Sequence, residues 1–124
     1  MLIDDDVLVR SAIRHILERE GHEVVEEPDG KTALRHYAGD PTDLVISDVF
    51  MPDMSGIEFL VRVREAFPEA RIIIMSGGGP LRKESVLQNA ASLGADRVME
   101  KPFDIEELLG AVRDLLGSKG ASGP

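Results

Sequence analysis

Five polar residues stand at the ends of apolar segments that are typical of buried strands. Asp4 and Asp5 follow the first such segment, and Asp48, Ser76 and Lys101 follow three later ones. A carboxylate can attack phosphorus as a nucleophile, and carboxylate oxygens are ligands that Mg²⁺ prefers. A nearby ammonium group stabilises the resulting acyl phosphate, by about 4 kcal/mol for a close pair at an effective dielectric near 20. Together these residue types describe an aspartyl-phosphate site with a divalent cation.

The segments that must position these residues alternate between strand-like and helix-like patterns five times, with short connections. This alternation predicts a parallel sheet with helices on both faces, an α/β fold. The predicted strands are 1–3, 24–25, 44–47, 71–75 and 98–100. The predicted helices are 7–20, 31–38, 56–67, 81–93 and 105–116, and a loop at 77–80 precedes the fourth of them.

Strand order decides whether the five polar residues meet. Five strands joined by right-handed crossovers commonly take the order 2-1-3-4-5, with the ligand site at the switch point between strands 1 and 3. In that order Asp4 and Asp5 face Asp48 across neighbouring strand ends. Ser76 lies beside Asp48 on its other side, and Lys101 lies one strand further. The topology therefore predicts that all five residues share one edge of the sheet.

Composition limits the classes of protein to consider. A chain of 124 residues fits one domain, which we expect at residues 1–116, with a flexible tail at 117–124. The net charge of −9 argues against nonspecific binding to nucleic acid or to an anionic membrane. The absence of cysteine excludes disulfides and thiolate metal sites. With no membrane-length apolar run and no signal-peptide pattern, we expect a cytoplasmic protein.

A set of short motifs matches a known family in order and spacing. The motifs are Asp4-Asp5, Asp48-x-x-Met51-Pro52-x-x-x-Gly56, Ser76-Gly77, Gly94-Ala95-Asp96 and Lys101-Pro102-Phe103. Over residues 1–116 the chain resembles the receiver domain of two-component response regulators. One such motif is weak evidence, but all of them on an alternating β/α pattern give a specific signal. The resemblance implies a flavodoxin-like (βα)5 doubly wound sheet of order 2-1-3-4-5.

The resemblance also implies roles for the residues of the site. Asp48 would accept a phosphoryl group from a histidine kinase or phosphotransfer protein. Asp5 would bind Mg²⁺ directly and Asp4 mostly through water, while Asp48 and the backbone carbonyl of Phe50 would complete the protein ligands. The protein would be a signalling switch and not an enzyme, apart from phosphorylating and dephosphorylating itself at Asp48.

The remaining implied roles concern the readout of the phosphorylated state. Ser76 would move toward the phosphoryl group, and Lys101 would bridge it to a carboxylate, with a cis peptide before Pro102. The fourth helix, fifth strand and fifth helix would form the face that contacts a downstream effector protein or a second copy of the chain. Val98 departs from the family pattern, which usually has Tyr or Phe there, so the usual aromatic readout is not expected.

Two other functions stay open at this point. A haloacid-dehalogenase-type phosphatase also uses an aspartyl phosphate, and Asp4-x-Asp6 resembles its acid pair. That reading leaves Asp48 unexplained, and the chain has neither a cap insertion nor a late acidic pair. The other alternative is a receiver-like protein-binding module that works without phosphorylation, which Val98 and the glycines at 77–79 leave open.

Overall fold

The computed structural model of the chain describes residues 1–51, 53–76, 94–101 and 103–120, without the side chains of 118–120. The loop expected at 77–80, the helix expected at 81–93, and Pro52 and Pro102 lie outside these ranges. The described elements are, in order, β1 (Leu2–Ile3), α1 (Val7–Arg19), β2 (Glu26–Glu27), α2 (Gly30–Gly39), β3 (Val45–Asp48), α3 (Gly56–Ala66), β4 (Ile72–Ser76), β5 (Arg97–Glu100) and a C-terminal helix (Ile105–Gly120).

The five strands form one parallel sheet in the order β2-β1-β3-β4-β5, which confirms the predicted topology. β1 lies between β2 and β3, with Ile3 paired to Glu27 on one side and to Ser47 on the other. Asp48, the last residue of β3, is paired with Met75 of β4. The carboxyl ends of the strands therefore meet at one edge of the sheet.

The core is divided between the two faces of this sheet, because successive strand side chains point to opposite sides. Ile72 and Ile74 of β4 lie in an apolar cluster covered by α2 and α3, and Ile73 and Met75 lie in a second cluster covered by α1 and the C-terminal helix. All four are fully buried. Burial on both faces is the reason that β4 is apolar from Ile72 to Met75 and not alternating.

Both ends of α1 follow from local sequence. Asp6 is the N-cap, and its carboxylate accepts the N–H groups of Leu8 and Val9 at 3.0 and 3.3 Å. The helix ends before Gly21, which has φ +91°, a conformation that favours glycine. Because α1 begins at Val7, only residues 4–6 connect it to Ile3. This short connection restricts where Asp4 and Asp5 can lie.

The second strand differs from its prediction. The apolar pair at 24–25 suggested the strand, but the residues paired with β1 are Glu26 and Glu27. Each acid has a basic side chain as its partner, which makes this register acceptable. Glu26 pairs with arginines of α1, and buried Glu27 contacts His36 of α2, with 2.5 Å between Oε2 and Nδ1. On a polar face of its helix His36 is expected to be solvated; it is exposed, and it contacts Glu27 as well.

The start of the C-terminal helix is predicted by Asp104-x-x-Glu107, which resembles a capping box. Its predicted apolar stripe is Ile105, Leu108, Leu109, Val112 and Leu116. Asp104 accepts the N–H of Glu107 at 2.7 Å. Leu108 and Val112 are buried as expected, but Ile105 is 54% exposed and Ala111 is buried. The helix continues to Gly120, so no helix end marks the expected boundary at residue 117.

Candidate functional site

Three carboxylates converge at the carboxyl edge of the sheet. Asp4, Asp5 and Asp48 each offer an oxygen, and these oxygens lie within 4.8 Å of one another. Asp4 is fully buried and Asp48 is 9% exposed, whereas Asp5 is exposed to solvent. Strand pairing explains the cluster, because Ile3 is level with Ser47 and the next residues of the two strands are Asp4 and Asp48.

Lys101 provides the positive charge of the cluster. Its Nζ lies 3.2 Å from Oδ2 of Asp4 and 3.4 Å from Oδ2 of Asp48. Its side chain is 23% exposed, so this ammonium is largely shielded from solvent. The backbone N–H of Lys101 donates to the carbonyl of Ser76 at 2.7 Å, which fixes the turn after β5 against the end of β4. The predicted meeting of Asp4, Asp48 and Lys101 is therefore observed.

Asp48 lies in an environment that disfavours its charge. Burial raises the pKa of the Asp48 carboxyl, and the negative charge of Asp4 raises it further. The ammonium of Lys101 and the N–H of Phe50, 3.4 Å from Oδ1, oppose these effects without cancelling them. The carboxylate of Asp48 therefore gains from any additional positive charge placed at this edge.

Ser76 ends β4 beside this group. It is 1% exposed, and its Oγ has no hydrogen-bond partner among the described residues. A buried hydroxyl without a partner is uncommon, since leaving it unpaired costs about 1–3 kcal/mol. Because Asp48 is paired with Met75, Ser76 stands one residue beyond Asp48 on the neighbouring strand. With respect to the described residues, this hydroxyl donor is therefore unused, and it stands near the carboxylate cluster.

The loop after β3 carries Phe50 and is held by two close approaches. Phe50 is 45% exposed at the rim of the site. A Cβ at Gly56 would lie 2.3 Å from the carbonyl oxygen of Asp48, so this position has no room for a side chain. The N–H of Gly56 donates to the carbonyl of Val49 at 2.8 Å, which closes the loop. Gly56 is therefore required for the path of the chain beside Asp48.

Two contacts near the site were not predicted from the sequence. The carboxylate of Asp53 accepts the N–H groups of Gly30 and Lys31 at 3.1 and 2.9 Å, so it joins the loop to the start of α2. Desolvation acts against its charge, but the N–H groups of Lys31, Gly30 and Asp53 itself and the positive charge of Lys31 together lower the pKa of Asp53. Arg10 of α1 donates to the backbone carbonyl of Asp4 at 2.7 Å. Asp53 and the start of α2 are too far apart in sequence for a local pattern to show their contact, and the contact of Arg10 depends on a side-chain orientation that the sequence does not specify.

The motif Gly94-Ala95-Asp96 has a visible structural role. Oδ2 of Asp96 accepts the N–H of Ile72 at 2.7 Å and lies 3.1 Å from the Arg64 guanidinium. Gly94 has φ +100°, and its carbonyl accepts from the same Arg64 at 2.7 Å. These contacts fix the entrance to β5, and with it the register that places Lys101 at the end of the sheet.

The donor set fits a hard divalent cation. Three carboxylate oxygens within 4.8 Å of one another suit Mg²⁺, which takes oxygen ligands and keeps several waters. Exposed Asp5 leaves one side of the cluster open to solvent and to waters of the ion. A carbonyl contribution from Phe50, and the roles of Ser76 and Lys101 toward a phosphoryl group, remain predictions from the sequence.

Comparison with known proteins decides the family. The family model for the response regulator receiver domain matches residues 1–113. The chain belongs to this family. Receiver domains with similar sequences include part of the transcriptional regulator NtrC of Azospirillum brasilense, 36% identical over 118 residues that make up 95% of this chain and 24% of NtrC. Sporulation initiation phosphotransferase F of Bacillus subtilis is 33% identical over 96% of this chain and 94% of its own length.

Solved receiver domains have the same architecture. A response regulator receiver domain protein from Clostridium thermocellum is similar with a TM-score of 0.87 and 28% identity, covering 97% of this chain and 94% of that one. The present receiver domain spans only about a quarter to a half of the length of several curated relatives. Among its described residues, no helix is both long enough and apolar enough to span a membrane.

Proposed function

We propose that this receiver domain is a phosphorylation-dependent switch in which Asp48 accepts a phosphoryl group from a phosphohistidine of a kinase or phosphotransfer protein. The observation that supports this most directly is the ammonium of Lys101 between Asp4 and Asp48, inside a cluster of three carboxylates. A purely structural ion pair between Lys101 and these two acids would not need the third carboxylate, Asp5, beside it. A site that binds a cation and a phosphoryl group needs the acids for the cation and the amine for the phosphoryl group.

In the proposed reaction an oxygen of Asp48 attacks phosphorus, and the bond between phosphorus and the donor imidazole breaks. The electron pair of that bond returns to the imidazole nitrogen, which leaves as neutral histidine when its other nitrogen carries a proton. Asp4, Asp5, Asp48 and the carbonyl of Phe50 would hold Mg²⁺, which supplies positive charge to the phosphoryl oxygens. The product is an acyl phosphate on Asp48, and atoms and charge balance.

Lys101 and Ser76 would stabilise the product. After transfer, the ammonium of Lys101 is available to a phosphoryl oxygen at the position where it now contacts Asp48. The Ser76 hydroxyl, which lacks a partner among the described residues, would donate to another phosphoryl oxygen. Both changes act on the ends of β4 and β5. We infer that they bias the face of β5 and the C-terminal helix, together with the helix predicted from the sequence at 81–93, toward an effector protein or a second copy of the chain.

Two observations bear on the alternatives. The acid pair of a dehalogenase-type phosphatase would need Asp6 at the site, but its carboxylate caps α1 by accepting from Leu8 and Val9. This contact disfavours the phosphatase. Val98 is partly buried against the core and has no aromatic ring to exchange between positions. A module that binds partners without phosphorylation is therefore the competing function. An experiment that detects phosphorylation of Asp48 distinguishes it from the proposed switch.

The test is intact-mass spectrometry after incubation with phosphoramidate, with and without Mg²⁺. We expect one phosphoryl adduct that requires Mg²⁺ on the wild type and none on Asp48→Asn. Asp53→Asn is the matched control, because Asp53 is an acid of the same loop outside the cluster, and it should still form the adduct. No adduct on the wild type would favour the phosphorylation-independent module. An adduct that persists on Asp48→Asn would mean that another residue is the acceptor.

A further inference from the structure

Asp4 is held by more than its own side chain. Its Oδ1 accepts the N–H of Asp6 at 2.9 Å, and its backbone carbonyl accepts from the guanidinium of Arg10 at 2.7 Å. β1 contributes only two residues of strand, and the last backbone hydrogen bond that it makes to β2, from the N–H of Asp4 to the carbonyl of Glu27 at 3.3 Å, comes before the peptide group that joins Asp4 and Asp5. The hydrogen bond from Arg10 therefore sets the orientation of the peptide group that joins the two acids.

Arg10 is itself fixed from a third element. Its Nε lies 3.0 Å from Oε1 of Glu26 on β2, and the side chain is 15% exposed. The other carboxylate oxygen of Glu26 lies 2.6 Å from Arg14. A planar guanidinium can donate to a carboxylate and to a carbonyl at the same time from different nitrogens. Glu26 and Arg10 thus connect β2 and α1 to the peptide between Asp4 and Asp5.

We propose that Arg10 is a positioning residue for the cation site, and that Glu26 holds it in place. The inference rests on the proposed binding of Mg²⁺ by Asp4 and Asp5. Arg10 does not reach the ion; it orients the ligands through the Asp4 carbonyl. Residues that hydrogen-bond to metal ligands orient those ligands, and changing one typically lowers metal affinity about 10–100-fold.

The charge of Arg10 makes the proposal unusually easy to test. Removing a positive charge near three carboxylates should strengthen the binding of a cation if electrostatics alone decides. Loss of positioning should weaken it. The two explanations therefore predict opposite signs for Arg10→Ala. Arg14→Ala is the matched control, since Arg14 lies on the same helix and contacts the same Glu26, and its described contacts do not include the Asp4 carbonyl.

The measurement is a titration with MgCl₂, followed by amide and carbonyl chemical shifts in the NMR spectrum of the full chain. We expect Arg10→Ala to bind Mg²⁺ about tenfold more weakly than the wild type, and Arg14→Ala to bind equally or slightly more tightly. The carbonyl ¹³C shift of Asp4 in the metal-free protein should move in Arg10→Ala and stay in Arg14→Ala, because only the first loses the hydrogen bond.

Arg10→Lys keeps the test decisive if Arg10→Ala does not fold. Lys retains the charge but not the planar fork that serves Glu26 and Asp4 together. We expect weaker Mg²⁺ binding than in the wild type, whereas a purely electrostatic role predicts no change. Equal or tighter binding in both Arg10 variants would overturn the positioning role and leave the proposed function intact. A wild type that does not bind Mg²⁺ would overturn both.

Discussion

At the scale of single residues, Gly56 is a position with no room for a side chain. A methyl group there would lie 2.3 Å from the carbonyl oxygen of Asp48 and 3.0 Å from Cα of Val49, and both neighbours are backbone. We expect Gly56→Ala to lower the free energy of unfolding by about 1–3 kcal/mol, since the loop must shift to admit the new atom. Urea unfolding measures this change.

A control is available on the C-terminal helix. A Cβ at Gly110 would meet nothing within 4 Å. Gly110→Ala should therefore stabilise the protein by about 0.5–1 kcal/mol, because alanine loses less conformational freedom in a helix. If both substitutions had the same effect, the close approach at Gly56 would not be the cause of its cost.

The burial of Asp48 predicts a pH dependence. Because its pKa is raised, the folded protein holds this proton more tightly than the unfolded chain does, and the ionised carboxylate lowers stability at neutral pH. Asp48→Asn should therefore unfold at higher urea concentration at pH 7 without Mg²⁺. The advantage should shrink as pH falls through the raised pKa, and disappear below the ordinary pKa of aspartate, where the wild-type carboxyl is neutral as well.

The control for this measurement is Glu65→Gln, which removes an exposed charge from α3. It should hardly change the urea concentration at which the protein unfolds. The opposite result, an asparagine variant less stable than the wild type at pH 7, would show that the contact between Asp48 and Lys101 outweighs burial.

At the scale of elements, the contact between α2 and β2 depends on one histidine. His36 contacts the buried carboxylate of Glu27 at 2.5 Å. His36→Ala removes the imidazole and leaves the Glu27 carboxylate without this contact. We expect the free energy of unfolding to fall by about 1–3 kcal/mol. His15→Ala, on the exposed side of α1, should change stability far less. Equal effects in thermal or urea unfolding would mean that the contact contributes nothing particular.

The helices and strands were predictable where burial in the core sets the hydrophobic pattern of the sequence. They were less predictable where contacts between charged side chains set the position of a strand. β4 and α3 follow apolar runs and stripes that end in the core, so the sequence indicated them to within one or two residues. β2 did not, because its paired residues are acids that depend on Arg10, Arg14 and His36 from two helices. Those partners are distant in sequence, and periodicity within a segment carries no information about them.

At the scale of the whole molecule, the strand order explains why the cluster could be predicted. Once β1 lies between β2 and β3, the ends of β1 and β3 must be neighbours, so Asp4 and Asp48 must meet. The contacts that refine the site could not be predicted in the same way. Arg10 reaches the Asp4 carbonyl and Asp53 reaches the start of α2 through side-chain orientations that topology leaves undetermined.

The contact between Lys101 and Asp4 joins residues 97 positions apart. During synthesis the three acids of the cluster leave the ribosome long before Lys101, which contacts two of them. Their negative charges lack this ammonium until β5 is complete. The site can therefore be assembled only at a late stage of synthesis, although its first acids are among the first residues of the domain to be made.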